Sequence, residues 1–276
     1  MGLLAGPRDG KVGDVLSAEL RETIADRLFE AETTKVAIPP LIQTWPEIDV
    51  VDAYSIQLAN IARRVEAGAK IRGHKVGLSA KAMQQMLGVS ECDYGHLLDD
   101  MFVNEYEMIP ISRFLAPRAE IEVAFVLGRP LAGPGITTAD VIRATDYILP
   151  SIEIVDSRIA DWKLTIADTI ADNASSGAVV LGGRPTRLHD VDPALIGANL
   201  RKNGEIVETG CSGAVLGNPV NAVAWLANKV AAFGVTLEPG HVIMPGSCTR
   251  MVPIGPGDTI RADFDGLGHV SATFKS

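Results

Sequence analysis

Two rhythms of apolar and polar residues divide this chain. Toward the N-terminus the spacing is helical: Leu20, Ile24 and Leu28 fall on one face, and Ser17 stands where it can cap the helix start. A second helical stretch covers about residues 52–67 and stops before Gly68. Between them, TKVAIPPLIQTWPEID carries too many prolines for a helix and is expected to be a connector. Residues 1–14 are Gly-rich and are expected to form a loose arm.

From about residue 71 the rhythm becomes that of strands. AKIRGHKVGL is expected to be one, followed by a short helix from Ser79 to Leu87. PRAEIEVAFVLG is the next strand, and Thr137 or Thr138 caps a helix running through Ala144. YILPSIEIVDSRI reads as a strand interrupted at Pro150, and GAVVLGG as another. In GANLRKNGEIVETG, Asn203-Gly204 supplies the two positive-φ positions of a type I′ hairpin turn. Asn218-Pro219 opens a strong helix, with Gly234 just past its end. HVIMPGS, DTIRADF and GHVSATF are closing strands separated by turn sequences. The reading is an α+β protein, with an N-terminal helical cap region at 1–70 and a strand-rich domain at 71–276. The βαβ alternation is absent, as are a GxGxxG after a strand, a Walker A loop and a GxSxG elbow. Nucleotide chemistry and serine hydrolysis lose their support.

Composition narrows the partners. Hydrophobic residues make up 47% of 276, enough for a large core. A net charge of −9 argues against nucleic acid or an anionic membrane as the main partner. The N-terminus lacks the apolar run of a secretory signal, and no apolar stretch is long enough to span a bilayer. Cys92, Cys211 and Cys248 are scattered and form no CxxC, which fits a reducing cytoplasm and a role as small buried residues.

Glu120 and Glu122 stand out in an otherwise apolar run. Side chains two apart on a strand share a face, so two like charges meet there and need compensation. Water on an edge strand, basic neighbours or a cation can provide it. A third acid, Glu153, lies in the apolar setting PSIEIVDS. Three carboxylates on apolar strands suit a hard divalent cation. The alternatives are a solvent-facing ExE pair and a Glu153 ion pair with Arg118 or Arg158.

The blocks GHKVGL, DYGHLLDDM, PRAEIEVAFVLG, LPSIEIVDSRIADWKLTIADTIADNASSGAVVLGG and LGNPVNAVAWLANKVAAFG, in this order, resemble the hydratase/decarboxylase family of the fumarylacetoacetate hydrolase superfamily. The likeness runs from about residue 15 to the C-terminus, and SRIADW…DTIADNASSG is nearest to its hydratase branch. It implies a mixed β-roll with a small helical N-terminal part, and Mg²⁺ or Mn²⁺ held by Glu120, Glu122 and Glu153. Glu153 and MPGSCTR separate the chain from the hydrolase branch, where an Asp and a GTP stand instead. The resemblance further implies a homo-oligomer, a pentamer or decamer, and association with a pathway aldolase or decarboxylase.

The implied reaction is metal-dependent hydration of 2-hydroxypenta-2,4-dienoate, or a close homologue, in meta-cleavage catabolism of aromatic compounds. The resemblance makes Lys75 and Asp93 catalytic: Lys75 as an anchor for substrate oxygens or a proton shuttle, Asp93 as a water-positioning or proton-relay acid. Ser175 becomes a substrate hydrogen-bond donor, and Asn173 an organiser of its loop. Read without the resemblance, Lys75 is a solvated strand lysine and Asp93 a turn former before Tyr-Gly. His74, by alternation, faces away from Lys75 and packs; His96 is a weaker proton-transfer candidate. Arg250 binds a carboxylate or forms an ion pair. Competing readings are 4-oxalocrotonate decarboxylase, a hydratase for longer dienoates, a non-catalytic partner subunit and a plain binding protein.

Overall fold

A computed structural model describes residues 16–81, 84–85 and 89–276. The expected N-terminal arm and part of the expected Ser79–Leu87 helix lie outside the described residues. Helix α1 (Ala18–Thr34) starts at Ser17, whose side chain accepts from the Leu20 N–H, and it buries Ile24 and Leu28. Helix α2 (Leu41–Thr44) is a single turn inside the stretch expected to be only a connector. Pro40 precedes it and leaves the helical N–H groups untouched, so the prolines stop a long helix without forbidding a short one. Helix α3 (Val50–Glu66) has an Asp49–Asp52 capping box.

The strands are β1 (Ile71–Gly77), β2 (Asp93–Leu98), β3 (Phe102–Val103), β4 (Met108–Pro110), β5 (Arg118–Leu127), β6 (Thr145–Val155), β7 (Ser176–Leu181), β8 (Gly197–Lys202), β9 (Glu205–Cys211), β10 (Val242–Met244), β11 (Val252–Pro253), β12 (Thr259–Phe264) and β13 (Gly268–Lys275). Eight build one sheet in the order β2-β1-β10-β5-β6-β7-β3, with β11 also pairing β5; five build a second, β4-β13-β12-β8-β9. Parallel pairs β1–β10, β3–β7 and β4–β13 sit among antiparallel ones, so the fold is a mixed β-roll. The hairpin turn forms as read, with Asn203 at φ 54° and Gly204 at φ 89°.

Alternation gives the large sheet two unlike faces. The odd residues of β5 (Ile121, Val123, Phe125 and Leu127) join Ile152 and Ile154 of β6 and Ile260 and Phe274 of the second sheet in one core. Ile24, Leu28, Tyr54 and Ile56 of the N-terminal helices belong to that same core. The even face is apolar at one end only. There Ala124, Val126, Leu149, Val179, Val242, Met244 and Leu97 form a second cluster. At the other end the same face carries Glu120, Glu122 and Glu153.

Pro150 does not interrupt β6, contrary to the sequence reading. It pairs with Val123. Its carbonyl accepts from Gly182 N–H at 2.8 Å, one residue past the end of β7. Its nitrogen faces that same side, so no ladder bond to β5 is lost. Strand β2 was also unforeseen: Asp93 opens a fully buried strand instead of a turn. Among the described residues no helix is long and apolar enough to cross a membrane.

Buried Asp168 ties α2 to the Ile166–Ala171 helix. It accepts from Leu41 N–H at 2.6 Å, and from Thr165 N–H and Oγ1 at 2.8 and 2.7 Å. Asp168→Ala is expected to cost about 3 kcal/mol in urea unfolding, because buried donors lose a charged acceptor. A loss below about 0.5 kcal/mol, the surface-substitution range, would contradict this linkage.

Candidate active site

Glu120 lies directly opposite Glu153 across the β5–β6 ladder, and Glu122 opposite Ser151. One carboxylate oxygen from each of the three acids lies within 4.8 Å of the others. Glu122 and Glu153 are 0% exposed and Glu120 is half-buried, so the group opens on the Glu120 side. Strand β5 is not an edge: β6 flanks one side, β10 and β11 the other. Between β10 and β11 the chain leaves the ladder, and there Gly246 N–H donates to Glu122 Oε2 at 2.8 Å. Among the described residues, Glu122 Oε1 and both oxygens of Glu153 are buried without a hydrogen-bond donor.

Strands β1 and β2 complete the same face. Lys75 pairs with Gly95 and Gly77 with Asp93, so Lys75 and Asp93 point inward with the glutamates. Lys75 Nζ lies 3.4 Å from Glu153 Oε1 and donates to the Ala174 carbonyl at 2.9 Å. Asp93 Oδ2 accepts from Thr169 Oγ1 at 3.0 Å, while Oδ1 has no partner. Ser175 follows Ala174, and its buried Oγ has no partner either. Two glycines make the room. A Cβ on Gly77 would lie 2.1 Å from Asp93 Oδ1, and one on Gly95 2.4 Å from the Asn173 carbonyl.

The electrostatics follow from charge crowding in a dry place. Burial raises the Glu120 pKa to about 7, with Glu153 and Asp93 adding to the shift and Lys75 opposing it. Burial, then the other two glutamates, hold Glu122 well above the usual carboxylate range. Burial also raises Glu153, against the pull of Lys75. For Lys75 burial works downward, but Glu153, Glu120, Asp93 and Glu122 outweigh it and raise the pKa.

Lys75, Asp93, Glu120, Glu122 and Glu153 share one face of the sheet, and Ser175 follows Ala174, whose carbonyl holds Lys75 there. The alternative ion pairs do not form. Arg158 pairs with Asp172 at 2.5 Å, and Arg118 lies over the Trp162 ring at 4.6 Å. His74 turns to the opposite face, beside the His96 ring at 4.8 Å, and His96 Nδ1 bonds Gln57 at 3.1 Å. His96 is therefore not placed for proton transfer at this site. Arg250 is an exposed partner of Glu208 at 2.8 Å. Cys92 and Cys248 are buried, Cys211 is half-buried, and all three are unpaired. Sequence reading missed the Ala174 carbonyl, the Gly246 N–H and the two clearance glycines. Backbone groups carry no residue-type signal; the glycines in GHKVG and DYG were the visible trace.

Residues 97–275 match the fumarylacetoacetate (FAA) hydrolase C-terminal family. A 2-keto-4-pentenoate hydratase of Paraburkholderia xenovorans (strain LB400) is 42% identical over 95% of this chain and 97% of its own. A 2-oxo-hept-4-ene-1,7-dioate hydratase of Escherichia coli is 44% identical over 91% and 96%. The solved 4-oxalocrotonate decarboxylase from Pseudomonas putida G7, complexed with magnesium and adipate, superposes with a TM-score of 0.90 at 40% identity, covering 94% of this chain and 99% of that one. The chain belongs to the fumarylacetoacetate hydrolase superfamily, and within it to the hydratase/decarboxylase family. A divalent cation fits the acidic trio: the three carboxylates converge, and among the described residues three of their buried oxygens accept no hydrogen bond.

The raised carboxylate pKa values set a sign. A carboxylate whose pKa is higher folded than unfolded stabilises the fold at low pH and loses that contribution as pH rises through its folded value. The metal-free Tm is expected to fall between about pH 5 and the Glu120 value of about 7. Saturating Mg²⁺ should flatten that fall. Glu122→Gln should raise the metal-free Tm and lower divalent-ion affinity at least about tenfold, read by calorimetry. A metal-free Tm that rises over this pH span would contradict the account.

Proposed function

We propose that the chain, an enzyme of the hydro-lyase type, adds water to 2-hydroxypenta-2,4-dienoate or a close homologue. The product is a 4-hydroxy-2-oxo acid, and the setting is meta-cleavage catabolism of aromatic compounds. The observation that carries the reading is the meeting, on one largely buried face, of three carboxylates, the Lys75 ammonium and Asp93. A reducing, cytoplasmic setting suits its three free thiols.

Glu120, Glu122 and Glu153 hold the cation, Mg²⁺ or Mn²⁺. When bound, it supplies Lewis acidity toward the substrate's 2-oxygen. Lys75 has three donors; Ala174 takes one and Glu153 lies beside another, which leaves a third for the substrate carboxylate or 2-oxygen. Ser175 Oγ donates to the same end. The dienol gives up its 2-hydroxyl proton, gains a proton at C5 and becomes a 2-oxo-3-enoate, electrophilic at C4. Asp93, held by Thr169, uses its free Oδ1 to orient the water whose oxygen adds at C4 and to take that water's proton and pass it to C3. Burial of Lys75 and Asp93, at 4% and 1% exposure, keeps bulk water from competing.

The likeness to a decarboxylase supports a second reading, loss of CO₂ from 4-oxalocrotonate. It requires a further cation for a distal carboxylate, and Arg118, on the face of Glu120, is the residue to test. An ultraviolet assay with freshly generated dienoate, with Mg²⁺, with Mn²⁺ and with EDTA, separates the readings once the product is identified. The expected result is metal-dependent loss of dienol absorbance with formation of 4-hydroxy-2-oxopentanoate. Release of CO₂ from 4-oxalocrotonate with no dienoate turnover would replace the first reading by the second. Lys75→Met is expected to lower kcat at least about 100-fold while metal affinity stays within about threefold. Near-normal turnover would remove Lys75 from the mechanism.

A further inference from the structure

The turn that presents Ala174 and Ser175 is built unusually. Asn173, Ala174 and Ser175 lie at φ 50°, 49° and 55°, three successive non-glycine residues in the left-handed region. Such residues visit that region singly, so a run of three persists only where its surroundings impose it. Two devices do so here, one buried and one half-buried. The Arg158 guanidinium spans the turn from outside: Nη2 donates to the Asp172 carbonyl at 2.6 Å and Nη1 to the Ser176 carbonyl at 3.0 Å. Its Nε is fixed by Asp172 Oδ1 at 2.5 Å. From the other side Asn173 clamps β2. Its Nδ2 donates to the His96 carbonyl at 2.9 Å, and its Oδ1 accepts from the His96 N–H at 2.8 Å.

The clamp continues into the N-terminal helices. His96 Nδ1 meets Gln57 Oε1 at 3.1 Å, and Gln57 Nε2 donates to the Tyr94 and Ile170 carbonyls at 3.0 and 2.8 Å. Gln57 lies on α3 and is 0% exposed. One glutamine side chain thus joins α3, β2 and the helix that leads into the turn. A packing residue there needs no such set of polar bonds.

We propose that Asn173, Arg158 and Gln57 are positioning residues that hold this left-handed turn, so that its Ala174 carbonyl aims the Lys75 ammonium and its Ser175 hydroxyl faces the substrate. Helix α3 takes part in the active site through Gln57. What Lys75 does chemically rests on the hydratase reading; the turn's hold on Lys75 does not.

Asn173→Gly is the direct test, because glycine accepts the positive φ while removing the clamp. The Tm should stay within about 3 °C, since relief of backbone strain offsets the lost bonds. Divalent-ion affinity should stay within about twofold, since the glutamates are untouched. Amine labelling of Lys75, followed by peptide mass spectrometry, should quicken at least about tenfold, and kcat should fall at least about tenfold. Gln57→Met keeps the volume, removes the polar bonds and should move both readouts the same way, about threefold. It decides the matter if Asn173→Gly does not fold. Labelling and kcat both within about twofold of wild type would overturn the proposal, as would faster labelling with unchanged kcat. If the wild-type protein turns over no dienoate, the hydratase reading fails on its own, and labelling alone then decides the turn.

Discussion

Three carboxylates that repel one another in a water-poor interior are the constraint around which the rest of the molecule is arranged. Glu120 and Glu153 face each other across a ladder, and Glu122 lies two residues along the same face. Like charges so placed destabilise a fold unless protons or a cation neutralise them. Among the described residues, a lysine and one backbone N–H meet them, and three buried carboxylate oxygens have no hydrogen-bond donor. A divalent cation would fill that shortfall, and metal binding and stability would then be two readings of one free energy.

The curled sheet makes the crowding possible. Its inner face is apolar at one end, where Ala124, Val126, Val179 and Met244 pack, and ionisable at the other. The outer face joins the second sheet and the N-terminal helices in a large core. The acids are therefore held by strands anchored elsewhere, and their placement does not depend on their own interactions. Missing side chains are used as deliberately as present ones. Gly77 and Gly95 let the Asp93 carboxylate and the Asn173 carbonyl approach strands β1 and β2 at distances that any Cβ would prevent.

Much of this was legible in the sequence, for identifiable reasons. Period-two alternation in RAEIEVAFVL put Glu120 and Glu122 on one face, and the apolar setting of Glu153 marked it as unusual. Caps at Ser17, Thr137 and Asn218 fixed helix starts because their side-chain oxygens accept helix N–H groups. What escaped depended on distant parts of the chain. Pro150 continues β6 because β7 ends where the missing N–H would be needed, a fact residues 145–155 do not contain. Strand β2 is a strand because β1 pairs it, and its Asp-Tyr-Gly opening looks locally like a turn. The Ala174 carbonyl and Gly246 N–H are backbone groups, visible only once their loops are placed.

The central claim is that Glu120, Glu122 and Glu153 form one divalent-cation site. Crystals grown with Mn²⁺ and measured at its absorption edge test it most directly. The account expects one strong anomalous peak bounded by an oxygen from each of the three glutamates at about 2.2 Å, a distance usual for a hard cation with oxygen ligands. A peak elsewhere, with the three carboxylates unliganded at saturating Mn²⁺, would contradict it.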